Sequence, residues 1–532
     1  MFLTSPRKIR DPEKFPTVQL CLLAIVRLAE PIALTSIFPY AFQLIKHFHV
    51  GDESDASFYA GLLISAFALS ESLTGMYWGG LSDRVGRKPV LLLGCLGTML
   101  SMTMVGFASN IYVALAGRAL GGFLNGNIGV IQTMVGELVT KPEHEPRAYS
   151  IMPFVWSIGT IIGPAIGGYF ADPVRGFPDR FSEDGLFARF PYLLPNLLCS
   201  GLLLISIIAG YLLLEETHPD MQPRILLPGS ACASDETPLM ATADAVRTPA
   251  VDSRAERYGT FDGRDDSGWR NPPAKTMTRK VFTKQIVALI IALGIFTYHS
   301  MTYDHLLPIF LEDDRGDTIS ALSTSVLGID PFSSPGGLGI PVQKVGVIMS
   351  VNGVIALVVQ AVVFPFAAAT FGIQRLFTLV TLLHPVAYFM MPFLTYLPPS
   401  WVTSGIYACL TVRNLLSIIA YPVLLILLKE ATPSPCVLGR INGLAASAGA
   451  ACRTMAPPVA GYLYTLGSKA EFSGLAWYGS AFVAIVGAIQ CFSVRREKPQ
   501  ADSDVESSDD MRFDHKSGPI ATVADTPSIL SI

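Results

Sequence analysis

The residues of this sequence best placed to do chemistry are charges set inside long apolar stretches: Arg27 and Glu30, Glu71, Arg118, His299, Asp304 and His305, and Arg453. An ionised side chain among apolar neighbours is costly unless it is paired or wetted, so each must turn toward a partner or an interior space. A carboxylate facing a partly dehydrated cavity can take up and release a proton, and a guanidinium brought near it opposes the uptake. The chemistry open to this set is therefore proton exchange. Arg27 and Glu30 lie one turn apart, a spacing that equally suits a structural ion pair. Glu71 and Arg453 suit helix packing, and His305 suits an interfacial side chain. Asp304 has no cation near it in sequence.

Three further groups have a defined spacing. WGGLSDRVGRKP (78–89) offers Gly79 and Gly80 for close helix approach and Gly86 for a tight turn, with Asp83, Arg84, Arg87 and Lys88 as a possible charge cluster. The plainer alternative is that these cations only follow the charge asymmetry of membrane loops. SIMPFVWSIGTIIGPAIGG (150–168) puts Gly159, Gly163, Pro164, Gly167 and Gly168 on one apolar run. Small residues let neighbouring helices touch and a proline bends the run, which suits either a rocking face or ordinary tight packing. EETHP (215–219) could touch a cation through Glu215, Glu216 and His218, but so short a cluster reads more simply as a solvated helix end. No HExxH pair, CxxC or ligand-like Cys and His spacing is present, so neither a metal, a cofactor nor an enzyme activity is expected, and the eight cysteines read as packing thiols.

The elements that must position these residues follow from composition. The 532 residues are 51% hydrophobic and 15% charged, too apolar for a soluble surface, and the net charge of −4 with scattered basic residues argues against a nucleic-acid partner. A bilayer core takes about 20 apolar residues as a helix. About twelve such runs are countable, with borders near 18–44, 57–80, 90–109, 111–138, 148–171 and 190–214, then 285–311, 342–368, 373–397, 400–429, 438–466 and 472–494. This predicts an all-α polytopic membrane protein with a short N-terminus (1–17), a six-helix half (18–214), a polar, Pro-rich disordered linker (215–284), a second half (285–494) and a disordered tail (495–532). Lys and Arg collect beside one set of span ends, placing both termini and the linker in the cytosol. GPAIGGY (163–169) aligns with APPVAGY (456–462), and Arg118 has a counterpart in Arg413, as expected of two repeated halves.

The Gly, Asp, Gly, Arg and Lys spacing of 78–94 resembles the loop signature of the major facilitator superfamily, and the GxxxGPxxGG pattern of 159–168 resembles its antiporter signature. Together with INGLAASAGAACRTMAPPVAG (441–461) and MTYDHLLPIF (301–310), these segments are similar to zinc-induced facilitator-like and related fungal carriers of the drug:proton antiporter group. The resemblance covers nearly all spans, but the Cys-Pro-Gly-Cys segment of the plant members is absent. It implies twelve helices in two halves, a gating loop at Gly79, Asp83, Arg84, Gly86, Arg87 and Lys88, and a hinge on the fifth helix at Gly159, Gly163, Pro164, Gly167 and Gly168. In such a fold the first and seventh helices line the cavity, placing Glu30 with Arg27, and Asp304, to see substrate and proton, with Arg118 tuning proton transfer. The implied function is a monomeric, proton-coupled antiporter or efflux carrier of a small organic molecule, lying in the lipid bilayer of the plasma or vacuolar membrane. A symporter or uniporter of a nutrient or metal chelate, and a non-transporting membrane sensor, are the alternatives.

Overall fold

The computed structural model describes residues 15–139, 145–218, 283–315, 336–432 and 435–494. Residues 1–14, most of the expected linker (219–282) and the expected tail lie outside the described residues.

The first half contains α1 (Thr17–Ser36), α2 (Ala41–His47), α3 (Ala56–Val85), α4 (Arg87–Gly106), α5 (Ile111–Leu124), α6 (Asn127–Leu138), α7 (Glu145–Tyr169), the short α8 (Pro173–Gly176) and α9 (Leu186–Arg189), and α10 (Leu193–Leu213). The second contains α11 (Lys284–Glu312), α12 (Val342–Val358), α13 (Phe364–Phe371), α14 (Ile373–Phe389), α15 (Pro399–Ala431), α16 (Pro435–Lys469) and α17 (Leu475–Gln490). A π-helical turn, Val359–Val363, joins α12 to α13 without a break. Local chemistry sets several of these borders. Asn110 and Thr283 cap α5 and α11 by accepting from Val113 N and Ile286 N. Between α3 and α4 only Gly86 intervenes, at φ 107°, a backbone region that favours glycine.

Among the described residues ten helices are long and apolar enough to cross a membrane. The other two expected runs are the α5/α6 pair and α16. The fourth run (111–138) is thus not one helix: Asn125 takes up extended backbone and breaks it, since the Asn125 and Asn127 side chains both turn away to a buried acceptor. The outward faces carry exposed Leu73, Ile205, Phe366, Trp401 and Phe482, a surface suited to lipid and not to water. Inward-facing aromatics, among them Tyr303, Tyr388, Tyr464 and Trp477, fill the largest core cluster.

The two halves meet through α3 against α16 and α7 against α12. Their closest approaches lie at the end of the bundle away from Gly86. There Gly168 and Gly346 lie so close that a Cβ on Gly168 would come within 2.5 Å of the Gly346 Cα. All the ion pairs that join the halves among the described residues are also at this far end: Lys46 with Asp313, and Lys469 with Asp52 and Asp55. At the opposite end a Cβ on Gly75, Gly79 or Gly80 would meet nothing within 4 Å.

Candidate functional site

The two carboxylates expected to carry protons both have arginine partners, reached by different routes. Glu30, 1% exposed, takes Arg27 Nη1 at 2.5 Å on Oε2 and the Asn125 and Asn127 amides, each at 2.8 Å, on Oε1 and Oε2. The break between α5 and α6 is what aims both amides at it. With that many donors the charged form of Glu30 is well satisfied, as in a structural pair. Asp304 pairs with Arg413 Nη2 at 2.5 Å, a residue 109 positions away on α15. The Arg413 guanidinium also donates to Ser300 Oγ and lies 4.8 Å from the Tyr303 ring centroid. This pair is lopsided, because the Arg413 side chain is 6% exposed and that of Asp304 44%. The carboxylate is the more exposed member.

Arg118 joins neither pair. Its Nε donates to the Leu63 carbonyl at 3.4 Å, its guanidinium sits 4.7 Å over the Phe67 ring, and its Nη1 has no hydrogen-bond partner. Glu71 is the carboxylate whose charge reaches it. Glu71 itself is half-buried and, among the described residues, has neither an ion pair nor a hydrogen bond; Glu30 first, then Arg453, Arg27 and Arg118, bear on it electrostatically. The reading of Glu71 as a helix-packing partner missed this opening, and the one signal for it in the sequence was its place in an apolar run.

The loop around Gly86 assembles with partners from elsewhere in the chain. Arg87 donates to Asp83 Oδ1 at 2.5 Å, to Ser82 Oγ at 2.7 Å and to Glu137 Oε1 of α6 at 3.0 and 3.1 Å. Arg84 is exposed. Lys88, 1% exposed, leaves the cluster and donates to the Tyr211 carbonyl at the end of α10. Glu215, Glu216, Thr217 and His218 are buried and not a solvated helix end. Glu216 accepts from the backbone amides of Arg87 and Lys88 at 2.9 and 3.1 Å, and from those of Thr217 and His218 at 3.0 Å, while Thr217 donates to Glu137. The first-turn amides of α4 have no intrahelical partner, and the Glu216 carboxylate meets two of them. The expected close approach at Gly79 and Gly80 is absent in this conformation, since a Cβ on either would meet nothing within 4 Å.

The glycines of α7 serve two contacts. A Cβ on Gly159 would meet Pro31 at 2.6 Å, and Cβ atoms on Gly163 and Gly167 would overlap Thr35 and Ser36, all on α1 in the same half. Gly168, and the Pro164 carbonyl oxygen 2.6 Å from where a Gly346 Cβ would stand, face the other half.

Residues 23–433 match the model of the Major Facilitator Superfamily. The chain belongs to the major facilitator superfamily. It is 39% identical, over 94% of its length and 87% of the relative's, to a major facilitator superfamily multidrug transporter, mfsB, of Aspergillus fumigatus. It is 26% identical to the protein ZINC INDUCED FACILITATOR-LIKE 1 of Arabidopsis thaliana, over 86% of both chains. The crystal structure of a D-xylose-proton symporter shares the fold, with a TM-score of 0.62 at 13% identity over 91% of this chain and 99% of that one. As a superfamily member the chain is a multi-pass membrane transporter of small molecules and not an enzyme. Glu30 and Asp304 belong to different halves, and each keeps its own arginine.

Proposed function

We propose that the protein is a proton-coupled antiporter that exports small organic molecules from the cytosol, working as a monomer in the plasma or vacuolar membrane with both termini cytosolic. Export of organic molecules is supported by the likeness to the fungal multidrug transporter. Orientation rests on Lys and Arg collecting at the end that carries Arg84, Arg87, Lys88 and Lys429. On that orientation the described conformation is open toward the cytosol and closed at the far end.

The observation that carries the coupling is the lopsided Asp304–Arg413 pair. With Asp304 charged, Arg413 is held. A proton on Asp304 removes the attraction and frees the guanidinium, which changes the polarity of the cavity wall. A cationic or hydrogen-bonding substrate can displace the proton at the same carboxylate, so that the two flows exclude one another at one site. Glu30 is the second candidate carrier, with Arg27 as its partner, and Arg118 with Glu71 supplies a further charge that such exchange would feel.

The test is accumulation of ethidium or rhodamine 6G in proteoliposomes under an imposed pH gradient. Asp304→Asn is expected to abolish gradient-driven accumulation while keeping dye exchange, and Glu30→Gln to lower the folded yield. Full gradient-driven accumulation by the Asp304→Asn protein would place the coupling proton elsewhere.

A further inference from the structure

At the closed far end, the last residue of α11 is a buried acid with an unusual setting. Glu312 is 5% exposed, and neither of its carboxylate oxygens accepts a hydrogen bond of ordinary geometry. Its polar neighbours come from both halves: Gln43 and Lys46 on α2, Asp313 beside it, and Tyr192 from the start of α10. His47, Tyr40, Asp172 and its partner Arg175 stand one layer further out, around Tyr192. Lys46 does not neutralise Glu312 directly, because its ion pair, at 3.8 Å, is with Asp313 Oδ1. Tyr464 of α16 donates to the other Asp313 oxygen at 2.9 Å. Among the described residues one cation, Lys46, thus faces Glu312 and Asp313 across the seam between the halves, with the exposed Asp314 next in the chain.

A charged carboxylate with only the poorly placed Gln43 amide to solvate it is costly to bury, whereas a carboxylic acid is cheap to bury. We propose that Glu312 is a proton-binding residue of this seam, protonated when the halves are closed at the far end and ionised when the seam opens to the far aqueous phase. The proton enters and leaves from that same phase, so it biases the seam without being carried across. Acid on the far side then favours the form open to the cytosol, which readies the carrier to load. Asp313 reinforces the trend: burial pushes its carboxyl above the usual carboxylate range, against the opposing pull of Tyr464 and Lys46. An acid bound more tightly to its proton in the closed seam than in the open one favours closure as pH falls.

The inference rests on the transporter reading above, but its test needs no substrate or gradient, so the two can fail separately. Full-length protein, with native cysteines replaced and with Glu53→Cys and Ala470→Cys carrying fluorophores, would be placed in lipid nanodiscs. The two labels report the width of the far seam by single-molecule energy transfer. One proton taken up on closing shifts the closed-to-open ratio by up to about tenfold per pH unit. The wild-type ratio is expected to rise severalfold between about pH 8 and about pH 5. Glu312→Gln mimics the protonated acid in shape, and is expected to favour the closed seam and to keep only the smaller response that Asp313 supplies; with Asp313→Asn added the response should fall below about twofold. Lys46→Gln, which takes away the cation that opposes protonation, is expected to move the wild-type transition to higher pH. A wild-type ratio that does not respond to pH, or a Glu312→Gln protein that keeps the wild-type response, would overturn the proposal.

Discussion

The far seam is also where a single methyl group has a calculable effect. A Cβ on Gly168 would stand 2.5 Å from the Gly346 Cα and 2.8 Å from its N, well inside van der Waals contact. Both are backbone atoms, so no side chain can swing aside and the helices themselves must part. Forcing an extra methylene into a packed contact costs about 1–3 kcal/mol, and backbone on both sides puts this one at roughly 2–3 kcal/mol. That cost is paid only while the two halves touch here. With tenfold per 1.4 kcal/mol, Gly168→Ala should move the closed-to-open ratio of the seam by roughly 30- to 150-fold toward open. The assay is the distribution of distances between labels at positions 53 and 470, with dye export measured in parallel. By contrast Gly163→Ala crowds α1 within one half, so it should lower thermal stability and leave the surviving molecules with a normal seam; a Gly163→Leu protein should lose transport by failing to pack. A Gly168→Ala protein with the wild-type distance distribution would refute the claim that this contact is made and broken in the cycle.

Three other outcomes are expected. Glu216→Ala, which strips acceptors from the first turn of α4, should cost about 0.5–2 kcal/mol of stability, seen in thermal unfolding of the purified protein, with Glu216→Gln intermediate. Arg413→Ala should destabilise the fold, and adding Asp304→Asn should restore part of the loss, with a coupling of about 1–3 kcal/mol in a double-mutant cycle, because Asp304 is only half-buried; strict additivity would mean the pair is not formed. A cysteine at Ser267 should resist an impermeant thiol reagent in intact cells bearing the protein at their surface and react after permeabilisation, since the Lys and Arg asymmetry places that segment in the cytosol; labelling of intact cells would reverse the topology.

The transmembrane architecture was legible in the residues because insertion is decided locally. A run of apolar residues long enough to span, bounded by charge or proline, forms a helix wherever it lies, and the borders of α3, α11 and α15 fall close to those read from composition alone. The same holds for Gly86, whose positive φ is a property of its own backbone. What the sequence could not decide is partnership. Asp304 has no cation within reach along the chain, and only the packing of α11 on α15 brings Arg413 to it. Glu216 looks like a solvated helix end until the fold lays it against amides some 128 residues earlier. Arg118 in an apolar run suggests a nearby proton carrier; the fold sets it over Phe67, where Glu71 is the carboxylate that bears on it and neither Glu30 nor Asp304 pairs with it. Hydropathy sums over neighbours in sequence, whereas a buried charge is satisfied by whichever donors or acceptors tertiary packing delivers. Spans are therefore written in the chain, and the pairing of the charges inside them is a property of the assembled bundle.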